Sequence, residues 1–159
     1  MEGWSEFAVA AAGATAALAG LVIVGISVNI KEILASPPLV VRGAVTIAGL
    51  ILSLIASLAL LVPQSLLAVG IEVLAATAFA TVIEFRALLA DVRQRPKRPR
   101  SEAVAHAALA AVWIIPFLLA GILLCAGLPA GIYPLALGIG TGIVAAIINT
   151  WVLLIEVLR

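Results

Sequence analysis

Glu72, a carboxylate inside a long apolar run, is the residue of this chain best placed to do chemistry. It lies eight residues past the Pro63-Gln64-Ser65 turn, roughly 12 Å along a helix that rises about 1.5 Å per residue. A charge at that depth in an apolar phase ~30 Å thick costs of order 2.5–3.5 kcal/mol on insertion scales. The carboxyl must therefore face protein or water. The preceding apolar run passes back through the same turn and carries Ser53 and Ser57 at bracketing depths, so two hydroxyls can reach it. Two chemistries fit. One is a proton or cation site; the simpler one is a protonated glutamate making an interhelical hydrogen bond.

The other ionisable groups gather at the opposite level. Arg42 and Glu84 lie about twenty residues from that turn on its two arms, and an ion pair between them is the plain expectation, worth little if exposed. His106, Asn149 and Asn29 approach the same level, where they could line a polar vestibule or sit among headgroups. A single histidine with no second histidine or cysteine near it is a poor metal ligand; a hydrogen-bonded interfacial histidine is the simpler reading, a pH sensor the alternative. No Ser-His-Asp set, phosphate loop or metal-ligand spacing is present. The expectation is a protein with no catalytic residues, no cofactor and no metal, hence not an enzyme.

These residues must be positioned by helices. Of 159 residues, 65% are hydrophobic and 11% charged, against about 25% charged in a soluble domain. A soluble chain of this size could not hide so much apolar surface. The composition predicts an all-α, polytopic transmembrane helix bundle in a single domain over residues 1–159, with five spans at about 5–34, 40–62, 65–92, 101–126 and 132–158. Ser5 and Ser101 stand where N-caps are expected. Ser36-Pro37-Pro38 stops the first span, and Pro116 falls inside the fourth, where a kink is expected. Thr46, Gly49, Ser53 and Ser57 share one face of the second. The first apolar run is too long, and its N-terminus too acidic, for a cleavable signal.

Six of the nine Lys and Arg fall between Arg86 and Arg100, around a basic loop at 93–100. Such a cluster belongs on the cytoplasmic side. With that loop inside, Lys31, Arg42 and Arg159 also fall inside, the N-terminus lies outside and the C-terminus inside. All nine bases then share one side, although the spans were set by hydrophobicity alone. Trp4, Tyr133 and Trp151 lie near span ends, as interfacial aromatics do; Trp113 does not. The loop can also contact anionic lipid headgroups. Without interleaved aromatics it gives no case for nucleic acid.

Small residues recur at four-residue spacing in Gly138 and Gly142, continued by Ala146, and in Ala12, Ala16 and Gly20. Both stripes favour close helix packing, within the chain or in a homo-oligomer. The stretch from Ala12 to Leu21, with Ser27-Val28-Asn29-Ile30 beyond it, resembles the opening of small multi-pass bacterial membrane proteins sometimes labelled modulators of the FtsH protease. The resemblance covers less than a fifth of the chain. It implies an accessory role in a bacterial inner membrane and supplies no functional residue.

Two functions follow as expectations. The first is a non-enzymatic accessory or regulatory membrane subunit that self-associates or joins a protein partner. The alternative is a small oligomeric channel or transporter with Glu72 in its pathway.

Overall fold

The computed structural model describes residues 3–94 and 100–157; the side chains of residues 91, 94, 100–107, 109, 156 and 157 lie outside that description. Most of the basic loop, the side chains of His106 and Ser101, and Arg159 therefore fall outside it.

The chain is all-α, and no strand occurs among the described residues. Six α-helices follow in order among the described residues: α1 (Trp4–Val28), α2 (Ile30–Ala35), α3 (Pro37–Leu61), α4 (Leu66–Gln94), α5 (Arg100–Cys125) and α6 (Ile132–Val157). A 3₁₀ turn, Pro129–Gly131, links the last two. Four of the helices are long and apolar enough to cross a membrane, each with at least 25 residues, or about 37 Å against a ~30 Å hydrocarbon core. The fifth long helix, α5, contributes the apolar stretch Ala110–Cys125.

Four boundaries differ from the sequence expectation. The first helix does not run unbroken to Leu34: it stops at Asn29 and restarts as α2. Ser27 Oγ bonds the Ile23 carbonyl and Asn29 Nδ2 bonds the Gly25 carbonyl, the side-chain competition with the backbone ladder that bends helices. The prolines do not merely stop a helix. Pro37 and Pro38 open α3 behind Ser36, where their missing N–H groups would have no helical partner anyway. Helix α1 starts at Trp4 with Gly3 in the left-handed region at φ 95°, so Ser5 is not its cap; α5 likewise starts at Arg100, before Ser101.

Helix α3 is the centre of the assembly. It packs against α1, α4 and α6, and α4, α5 and α6 complete a ring of four with it. Thr46, Gly49, Ser53 and Ser57 are all buried on its inward side, as their common face requires. Helix α1 lies outside the ring and buries Ala8, Ala11, Thr15 and Val22. Trp4 meets Tyr133 edge to face at 5.3 Å, which pins the start of α1 to the start of α6. The end of the bundle holding the 62–65 and 126–131 turns is the turn end. The other holds Lys31, Arg42, Arg86 and Arg93 and is the basic end.

In lipid, helices associate through dispersion contacts that close approach allows, not by expulsion of water. The close approaches here are glycines. A Cβ on Gly70 of α4 would meet Cys125 N and Sγ at 2.7 Å, and one on Gly121 of α5 would meet Leu74 at 2.6 Å. A Cβ on Gly138 of α6 would meet the Phe117 ring of α5 at 3.1 Å, one on Gly131 of the 3₁₀ turn would meet Leu124 at 2.8 Å, and one on Gly142 of α6 would meet Ser53 Oγ of α3 at 2.6 Å. The stripe on α1 is used differently. Gly20 has nothing within 4 Å of where a Cβ would stand, and Ala16 is exposed. Of the two stripes, only that of α6 packs within the chain.

Candidate functional site: a cavity at the basic end

Helices α5 and α6 are held together near the turn end by Phe117, Leu124 and the glycines facing them. Toward the basic end a cavity of about 760 Å³ opens, lined by residues of α3, α4, α5 and α6. Its walls are mostly apolar, with Val45, Ala87, Leu88, Ala110 and Trp113 among them. Val112 of α5 and Leu137, Val144 and Ile148 of α6 also line it, yet each is more than half exposed. The cavity therefore opens through the side of the bundle between α5 and α6, toward the surface that lipid covers. Gly140 stands in its wall with open space around it.

The polar groups of the wall are Arg42, Glu84, Thr141 and Asn149. Thr141 satisfies its hydroxyl on its own helix, donating to the Leu137 carbonyl at 2.9 Å. Arg42 makes an interaction of its own. Glu84 differs: its Oε2 is buried and has no hydrogen-bond partner, a condition that costs about 1–3 kcal/mol, more for a charge. The expected pair with Arg42 places no hydrogen bond on this oxygen. Pro116 adds a second irregularity, since its ring removes the N–H that would have bonded the Val112 carbonyl.

A smaller space of about 20 Å³ adjoins the cavity between Thr46, Gly49, Trp113, Gly142 and Asn149, room for one water.

Glu72 is not part of this arrangement. It is exposed on α4, and its Oε2 accepts a 2.9 Å hydrogen bond from Gln64 Nε2 at the turn. Gln64 also bonds the Ala59 carbonyl, so the carboxyl is drawn along the surface toward the turn end. The expected cluster with Ser53 and Ser57 does not form. Both serines are fully buried; Ser57 Oγ donates to the Ser53 carbonyl at 2.8 Å, while Ser53 Oγ has no partner. The reason is angular: these hydroxyls match Glu72 in depth, but they point into the ring and Glu72 points out of it.

Of the residues singled out from sequence, the structure brings Arg42, Glu84 and Asn149 to one cavity. Asn29 is spent on the α1–α2 break, and the His106 side chain lies outside the described residues. Sequence reasoning missed Trp113, Gly140 and Thr141. Trp113 carried a signal, being the one tryptophan far from a span end. Among the described residues, no three His, Cys, Asp or Glu side chains group as a metal site. No protein-family model matches the chain, and neither a curated protein nor a solved structure matches it.

Proposed function

We propose that the chain is an integral membrane protein without catalytic activity that takes a membrane-borne amphiphile into the cavity at its basic end and acts as an accessory subunit. One observation carries the reading: an apolar cavity of about 760 Å³, open sideways to the lipid surface, with charged groups in its wall. That volume is within the range of pockets that hold small ligands, roughly 300–1,000 Å³. The resemblance of α1 to small multi-pass protease modulators agrees with an accessory role. Self-association falls to the open Ala16 and Gly20 face of α1, because Gly138 and Gly142 of α6 are used within the chain.

Gly140→Leu tests this reading. A Cβ there meets nothing within 4 Å and the residue lines the cavity, so the variant should fold and melt as the parent does while its leucine takes up cavity space. In nanodiscs, single-chain amphiphiles should quench or shift Trp113 fluorescence saturably in the parent and at least tenfold more weakly in Gly140→Leu. Equal responses would reject the cavity as a binding site. If the same proteins in liposomes instead carry an ion flux that Glu72→Gln abolishes, the oligomeric channel is the better reading, with the outward-facing Glu72 enclosed by a second copy.

The basic end is proposed to face the cytoplasm, with anionic headgroups against its loop. In a Cys125→Ser background, cysteines at exposed Ser65 and Ala130 should react with an impermeant thiol reagent from outside. A cysteine at exposed Arg93 should react only after permeabilisation. The reverse pattern would invert the layout. Gly131 is a poor probe site, because its Cβ would lie 2.8 Å from Leu124.

A further inference from the structure

Charges of opposite sign stand at the same level of the cavity wall. Arg42 comes from α3 and Glu84 from α4, twenty-two and twenty residues from Gln64 along antiparallel helices. Asn149 joins them from α6, whereas Ala136, Leu137 and Trp113 line the deeper part. The cavity is thus polar toward the basic end and apolar toward the bundle centre, the polarity of a lipid molecule in the adjacent leaflet.

We propose that the cavity binds a phospholipid whose head carries a primary ammonium, of the phosphoethanolamine type. The ammonium donates to Glu84, the phosphate lies toward Arg42, and an acyl chain leaves between α5 and α6. The proposal rests on reading the cavity as an amphiphile site and adds the chemistry of the head. Glu84 lines the cavity and its Oε2 atom has no hydrogen-bond donor among the described residues; a ligand N–H supplies one when the carboxyl turns that oxygen into the cavity, as a charge-assisted bond of the stronger kind. A quaternary ammonium has the same charge but no N–H and cannot make that bond. A simple lipophilic amine would bring an uncompensated cation beside Arg42. A zwitterionic head instead places opposite charges against Glu84 and Arg42, and a guanidinium suits phosphate oxygens. Because Arg42 already makes an interaction within the protein, head-group selection falls to Glu84 and Arg42 contributes its charge. The source is the bilayer, since the opening is flanked by the exposed Val112, Leu137, Val144 and Ile148.

The test uses the full chain in phosphatidylcholine nanodiscs, with Trp4→Phe and Trp151→Phe leaving Trp113 as the reporter. Lysophosphatidylethanolamine, lysophosphatidylcholine and lysophosphatidylglycerol of equal chain length are titrated. The ethanolamine lipid should bind saturably and at least tenfold more tightly than the other two. Glu84→Gln should reduce it to the level of the choline lipid. Equal binding of the ethanolamine and choline lipids, or preference for the glycerol lipid, would overturn the head-group assignment and leave the cavity reading standing. Selectivity that survives Glu84→Gln would equally overturn it. Absence of saturable binding by all three would remove both. The comparison of heads on protein with an unaltered Glu84 decides the matter even if Glu84→Gln misfolds.

Discussion

Gly70→Leu is expected to prevent the bundle from forming, and Gly70→Ala to lower its stability by about 1–3 kcal/mol, the cost of overpacking a tight contact. The position is confined on three sides. A Cβ at Gly70 would stand 2.7 Å from both the amide nitrogen and the sulfur of Cys125 and 3.0 Å from the Gly121 carbonyl oxygen. Two of those atoms are backbone and cannot rotate away. Relief requires α4 and α5 to separate, which would forfeit dispersion contacts around the buried Val69, Val73 and Leu124, the kind of packing that holds helices together in lipid. Gly20→Ala is the control. It meets nothing within 4 Å and should leave stability unchanged or raise it by up to about 1 kcal/mol, the difference in helix propensity. Reversible unfolding in mixed micelles, followed by helical circular dichroism, measures both. A Gly70→Ala protein as stable as its parent would mean that α4 and α5 do not approach as closely as the structure places them.

The second large effect is expected at Gly142, and it should be coupled to one atom. A Cβ there would lie 2.6 Å from Ser53 Oγ but 4.0 Å from Ser53 Cβ, so the obstruction is the hydroxyl alone. That hydroxyl is buried and unpartnered, hence Ser53→Ala by itself should be neutral or mildly stabilising. Gly142→Ala alone should cost about 1–3 kcal/mol. In the double variant most of that cost should vanish, leaving a coupling energy of at least about 0.5 kcal/mol. Strict additivity would mean that α3 and α6 meet elsewhere. Gly142→Leu should be far more damaging than Leu137→Ala, because Leu137 is 60% exposed and loses few protein contacts.

What could be read from the chain itself was local or one-dimensional. Long apolar runs of this length become helices in lipid, because a helix satisfies its backbone N–H and C=O groups within one segment where no water can. Turns follow from Pro63 and from Gly127 through Gly131, and the gathering of bases at one end follows from counting charges once the spans are set. The errors at Asn29, Pro37 and Arg100 shifted helix boundaries and left the order of the helices unchanged.

Which way each residue faces was decided only by tertiary packing. In water, an amphipathic stripe tells the inner face of a helix from the outer; in lipid both faces are apolar and that signal is lost. Glu72 and Glu84 show the consequence. Both lie on α4, twelve residues apart, and at about 3.6 residues per turn that separation turns them roughly a third of a circle from each other. One carboxyl is exposed and bonded to Gln64, while the other enters the cavity with Arg42 and Asn149. Depth is additive along a sequence and could be counted for both. Azimuth depends on which neighbours a helix finds, and here it was set by the glycine contacts that join α4 to α5 and α3 to α6.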